Sequence, residues 1–216
     1  MPVFFLLLLF FCGSGPCPSP QICLQVFDQF EDLSHNEGFN FEELWQHSIH
    51  VGHVCQALAE RSRVVVKPSP DELYVCGLVH DIGKVIMIDQ IGAPYLAILR
   101  RAKRDSQPLH LLEREEFDFG HTDVGAVIAT RWDLPEDVAA AIQYHHGPRE
   151  KVQESPVISL VAHANLLIHR LEEEGDEPDD ERALAVFDDV VLEQLGLEAE
   201  DTRAVLARTR DKWQVD

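Results

Sequence analysis

Basic residues are scarce in this chain: 18 Lys and Arg stand against 38 Asp and Glu, a formal net charge of −20. A surface of that sign repels phosphate backbones, which argues against direct nucleic-acid binding. Cysteine is also sparse, with five residues, Cys12, Cys17, Cys23, Cys55 and Cys76. The number is odd and no CxxC pair occurs, so a disulfide framework is not expected and a reducing compartment fits best. Cys55 and Cys76 fall on apolar helical faces and read as small core residues. No Gly-rich phosphate loop, internal repeat or period-two strand series is present, which removes the common nucleotide folds and sheet architectures. No uncharged apolar run reaches the ~18 residues that a membrane-spanning helix needs.

The longest apolar run, "PVFFLLLLFFC", opens the chain and is followed by "GSGPCPSP". It has the length of a signal-peptide core but no preceding Lys or Arg. Three readings stay open: a secretory signal, a buried helix or strand, or a start site that misrepresents the natural chain. Residues 1–20 are therefore set apart as a segment of unassigned role, and 21–216 as one helical domain. The expected location is the cytoplasm. A secreted or membrane-associated protein is the alternative if residues 3–12 act as a signal.

What is present in quantity is helical patterning. Hydrophobic residues make up 45% of 216 residues, enough for one sizeable core. From Phe41 to Ala59, Leu44, Ser48, Val51, Cys55 and Leu58 recur at intervals of three and four behind Asn40, a suitable N-cap. "SPDE" at 69–72 is a capping box with Pro70 at the first helical position. Its helix carries Cys76, Leu78 and Val79, ends in His80-Asp81, and is expected to stop at Gly83. "VIMID" fits either a further helical turn or a short strand. Leu96–Lys103 reads as a short basic helix, and "LHLLEREEFDFGHTDVGAVIATRW" as two helical pieces broken at Gly120. "DLPEDVAAAIQYHHG" reads as a helix capped by Asp133 and closed by Gly147-Pro148. "SPVISLVAHANLLIHRLEEE" is apolar nearly all round, the pattern of a central helix. The acidic run "EEEGDEPDDE" at 172–181 reads as a solvated loop, and residues 181–195 and 198–212 as two closing helices. The fold class is all-α, a compact multi-helix bundle.

Against this apolar background, a set of polar residues stands out. His47 lies on the inward stripe of its helix. His80 and Asp81 end the next one, His121 opens another, and His145-His146 close a fourth. Asn165 sits inside the most hydrophobic helix. Any one of them alone suits a hydrogen-bonded core position. Together they form a ligand set suited to divalent iron, manganese or zinc, one or two ions, built from facing helices. Adjacent helical residues point about 100° apart, so His145 and His146 serve one ion only at a helix end, or else serve two ions. Lys84 is spaced to meet an anionic oxygen such as a phosphate.

These motifs resemble a known family. His47, the His80-Asp81 pair and a polar residue at 165 follow the ordered motifs of the HD phosphohydrolase superfamily. "LWQHS", "GLVHDIGKVIM", "EREEFDFGHTDVGAVIATRWDLPEDVAAAIQYHH" and "VAHANLL" are similar to the HDOD modules, a branch found mainly in bacterial signalling proteins. The resemblance runs from about Gln21 to Trp213. The related HD-GYP branch, which cleaves cyclic di-GMP, shares the HD, His and HH pattern, but "RWDLP" and the stretch after Lys84 follow HDOD. The resemblance implies an HD-type bundle with His47, His80 and Asp81 as ligands of a first metal. It assigns His121, His145 and His146 to a second metal and Lys84 to the substrate phosphate. Asn165 stands where catalytic relatives carry an aspartate, one charge fewer. The expectation is a signalling or regulatory module acting through partner proteins, with no or weak catalysis. The alternative is an active metal-dependent phosphohydrolase, with Asp81 and Lys84 as its catalytic groups, acting on nucleotides or cyclic dinucleotides.

Overall fold

A computed structural model describes residues 40–64, 66–174 and 178–213. Cys12, Cys17, Cys23 and the apolar run near the N-terminus lie outside them. The described residues are helical, with no strand among them: α1 Phe41–Ala59, α2 Pro70–Val79, α3 Ile82–Ile91, α4 Ala93–Asp105, α5 Leu109–Phe117, α6 His121–Arg131, α7 Glu136–Tyr144, α8 Arg149–Glu154, α9 Pro156–Glu172, α10 Asp180–Leu184, α11 Asp189–Leu195 and α12 Ala199–Trp213. None of these helices is long and apolar enough to cross a membrane.

Helix starts follow the capping chemistry of the sequence. Asn40 accepts from the Glu42 N–H, Ser69 and Glu72 form the reciprocal capping box, and Ser155 accepts from Val157. The central helix α9 buries Leu160, Val161, Ala164, Leu167 and Ile168 against Val51, Leu58 and Cys55 of α1, Leu73 and Cys76 of α2 and Ile142 of α7. Burial and the neighbouring Cys76 push the Cys55 thiol well up, and burial raises Cys76 to about 12, so both behave as apolar packing groups.

Four sequence expectations are corrected. Gly83 does not stop a helix; it lies in the first turn of α3, and "VIMID" continues that helix. A Cβ on Gly83 would lie 1.9 Å from the His121 carbonyl oxygen, so its lack of a side chain is what lets α3 touch α6. Asp133 does not cap α7: its φ is +53° and the residue at the cap is Pro135. The first closing helix is two, because Asp188 caps a fresh start at α11. The short helix α8, absent from the sequence reading, follows Pro148.

Candidate metal centre

Two close backbone approaches bring the polar residues together. On α1 and α2, a Cβ on Gly77 would meet the Gly52 Cα at 2.7 Å, so these helices pack backbone to backbone. His80 lies three residues after Gly77 and His47 five before Gly52, which brings the two rings to 5.4 Å between centroids with their planes tilted by 44°. The Gly83–His121 approach does the same for α3 and α6, and sets Asp81 beside His121.

Asp81 is the centre of the arrangement and is almost fully buried. Its Oδ2 receives the Lys84 Nζ at 2.6 Å and lies 3.3 Å from His80 Nε2 and 3.8 Å from His47 Nε2. Its Oδ1 lies 3.3 Å from His121 Nε2 and 3.5 Å from His145 Nε2. His121 and His145 face each other at 3.3 Å through their Nε2 atoms. The His146 ring packs on both, and the three histidines offer nitrogens within 4.8 Å of one another. Asn165 Oδ1 is placed 3.0 Å from His47 Nε2. Every residue singled out in the sequence, Lys84 and Asn165 included, is thus in one cluster. His163, two residues before Asn165, is not: it bonds the Ser159 carbonyl and packs by Phe187.

The far sides of the rings explain their orientation. His80 Nδ1 donates to the Gly77 carbonyl at 2.6 Å, and His145 Nδ1 to the Ala141 and Ile142 carbonyls. His121 Nδ1 donates to Glu113 Oε2 at 2.7 Å and His47 Nδ1 to Glu172 Oε1 at 2.8 Å. Carbonyls and carboxylates only accept, so in its neutral form each ring carries its proton on Nδ1 and turns an Nε2 lone pair towards Asp81. Burial depresses His145 to about 3, and burial with the neighbouring His145 and His121 depresses His146 further, so both are neutral at neutral pH. Burial opposes ionisation of Asp81, but the Lys84 ammonium on Oδ2 outweighs it and holds the carboxyl well below its usual range.

Lone pairs that meet at 3.3 Å with no proton between them repel. Asp81 Oδ1 and His80 Nε2 are buried without a hydrogen-bond partner. A divalent cation relieves both defects, and an imidazole and carboxylate donor set suits iron, manganese or zinc. The residues present fit such a group.

Sequence reasoning missed the residues that hold these rings in place. Glu113 is fully buried, accepts from the His121 backbone N–H at 3.0 Å as well as its ring, and takes the Tyr95 hydroxyl at 2.5 Å. Gly120 leaves room for it: a Cβ there would lie 2.9 Å from Glu113 Oε2. Burial works against the Glu113 carboxylate, and the His121 and Tyr95 donors lower it nonetheless. Glu172 corrects the reading of the acidic run, because it ends α9 and bonds His169 as well as His47. These two rings outweigh its burial and bring it to about 2. His110 stacks on His146 at 4.3 Å.

Comparison with known proteins agrees with this architecture. The sequence model of the HDOD domain matches residues 22–148. An uncharacterized protein of Treponema pallidum (strain Nichols) is 30% identical over 156 residues, 71% of this chain, but the match spans only 30% of that protein. The crystal structure of an HDOD domain protein of unknown function from Geobacter sulfurreducens is 28% identical, with a TM-score of 0.66 over 88% of this chain and 64% of that one. The MmoQ response regulator from Methylococcus capsulatus shares the fold at 22% identity, with a TM-score of 0.59 over 79% of this chain and 63% of that one.

Proposed function

The chain belongs to the HDOD family, and on that premise we propose that it is a signal-transduction module with a divalent-metal centre in its core and no or weak catalysis. The observation that carries the metal reading is the convergence of the Nε2 atoms of His47, His80, His121 and His145 on the buried Asp81 carboxylate. His47, His80, Asp81, His121, His145, His146 and Asn165 are the proposed ligand set. A bound ion of this class would supply Lewis acidity and lower the pKa of a water. The chain's own part is to fix the rings through Nδ1, to keep Asp81 ionised and to exclude bulk solvent.

Two features weigh against efficient turnover. Asn165 supplies an amide where a carboxylate would add a charge. Lys84 is buried and paired with Asp81 Oδ2 rather than free to meet a phosphate. The output is then contact with signalling proteins, modulated by a nucleotide or cyclic dinucleotide. The response-regulator name of the Methylococcus relative is in keeping with that role. The alternative, a metal-dependent phosphohydrolase, is favoured by the completeness of the histidine set. Metal analysis of the purified chain, followed by turnover assays on cyclic dinucleotides and nucleotides with manganese or iron, separates the two. The expected result is bound metal with absent or very slow hydrolysis. Brisk turnover by the unaltered chain would overturn the module reading.

A further inference from the structure

The two halves of the cluster are chemically unlike. On the Oδ2 side, the Asp81 oxygen already accepts from Lys84 at 2.6 Å. His47 there is engaged at both nitrogens, by Glu172 at Nδ1 and by the Asn165 amide at Nε2. Glu172 fixes the proton on Nδ1, so Nε2 needs a donor. The Asn165 Nδ2 group is buried without a partner when Oδ1 faces the ring. A half-turn of the amide satisfies both groups at once, since amide oxygen and nitrogen are assigned by their hydrogen bonds. The His47 lone pair is then occupied by an N–H. On the Oδ1 side nothing competes. Asp81 Oδ1 has no hydrogen-bond partner, His121 and His145 aim Nε2 at it, and His146 completes a trio.

We infer that the chain binds one divalent transition-metal ion rather than two, held by His121, His145, His146 and Asp81 Oδ1, and that Asn165 and Lys84 close the His47 half. This rests on the proposed metal centre and narrows it to one side. His47, His80 and Asp81 also offer ligand atoms within 4.8 Å of one another, but the Lys84 ammonium on Oδ2 supplies there the positive charge that a second ion would bring. Asn165 then acts as a lock on His47 rather than as a ligand.

The test is a cobalt(II) titration of the full metal-free chain, read by visible absorption and by metal content after desalting. His47→Ala and His146→Ala chains are titrated alongside, their folding checked by circular dichroism. Saturation at one equivalent, retained in His47→Ala and weakened at least tenfold in His146→Ala, is the expected result. Saturation at two equivalents overturns the inference while leaving the metal centre intact. One equivalent lost in His47→Ala but kept in His146→Ala overturns it in the same way. No binding by the unaltered chain overturns both. Because the unaltered chain alone gives the stoichiometry, misfolding of a variant does not remove the test.

Discussion

Glu113 is the residue whose replacement most cleanly separates holding a ligand from being one. Its carboxylate takes three donors, the His121 backbone N–H, the His121 ring and the Tyr95 hydroxyl, in a fully buried setting. Glu113→Ala strands all three. A buried group without its partner costs about 1–3 kcal/mol, so for three groups the loss is expected at about 3–9 kcal/mol, a large part of a domain's stability. Glu113→Gln keeps the shape. Its amide nitrogen can face the Tyr95 oxygen while its oxygen keeps both His121 donors. The charge is lost, and hydrogen bonds to a charged group exceed neutral ones by about 1–2 kcal/mol. The His121 ring is then less firmly oriented and less basic, a change that lowers metal affinity by about 10–100-fold in comparable sites. The assay pairs urea unfolding of the metal-free chains with competition titration of zinc. Unchanged zinc affinity in a folded Glu113→Gln chain would refute the assignment of Glu113 as the orienting group of His121.

Three further outcomes follow from the same geometry. Glu172, Glu113, Asp81, His145 and His146 all bind protons more weakly folded than unfolded, so the unfolded chain takes up more protons and stability rises with pH. The metal-free chain should therefore lose stability as pH falls, from about 6.5 towards 3 through His145 and from about 4.5 towards 2 through Glu172. The slope is up to about 1.4 kcal/mol per pH unit for each group, and urea midpoints flat between pH 7 and 4 would contradict it. Gly83→Ala forces the α3 and α6 backbones apart and is expected to cost about 3 kcal/mol or more. Gly92→Ala, where open space leaves only the backbone strain of φ +66° and ψ −128°, should cost less, about 1–3 kcal/mol; thermal melts rank the two. Asn165→Asp exchanges the lock for a carboxylate and should raise bound metal above the unaltered chain's content; no gain would show that position 165 does not govern the His47 half.

The helices that carry the clustered histidines were legible because their local chemistry and their tertiary role agree. Asn40, the Ser69–Glu72 box and Ser155 start helices as their residue types predict. His47, His80 and Asn165 stand out because polar groups on apolar faces require a partner. Glu113 was not legible for the opposite reason. In "EREEF" it is one acid among several, and only the approach of Gly120 and Tyr95 separates the buried carboxylate from the solvated ones. Glu172 was hidden in the same way by the acidic run that follows it. Asp133 looked like a cap because aspartate suits both that position and the left-handed backbone it adopts. Gly83 read as a terminator because contact between two backbones leaves no trace in a single helix's pattern.

If Asp81 anchors a bound cation, replacing it must change the metal content of the chain. The unaltered chain and Asp81→Asn, purified side by side and loaded with manganese, iron or zinc, are desalted and measured by mass spectrometry of the metal. About one ion per unaltered chain and a sharp loss in Asp81→Asn are expected, because the neutral amide no longer balances the ion's charge. Equal metal in the two chains, or none in the unaltered one, would contradict it.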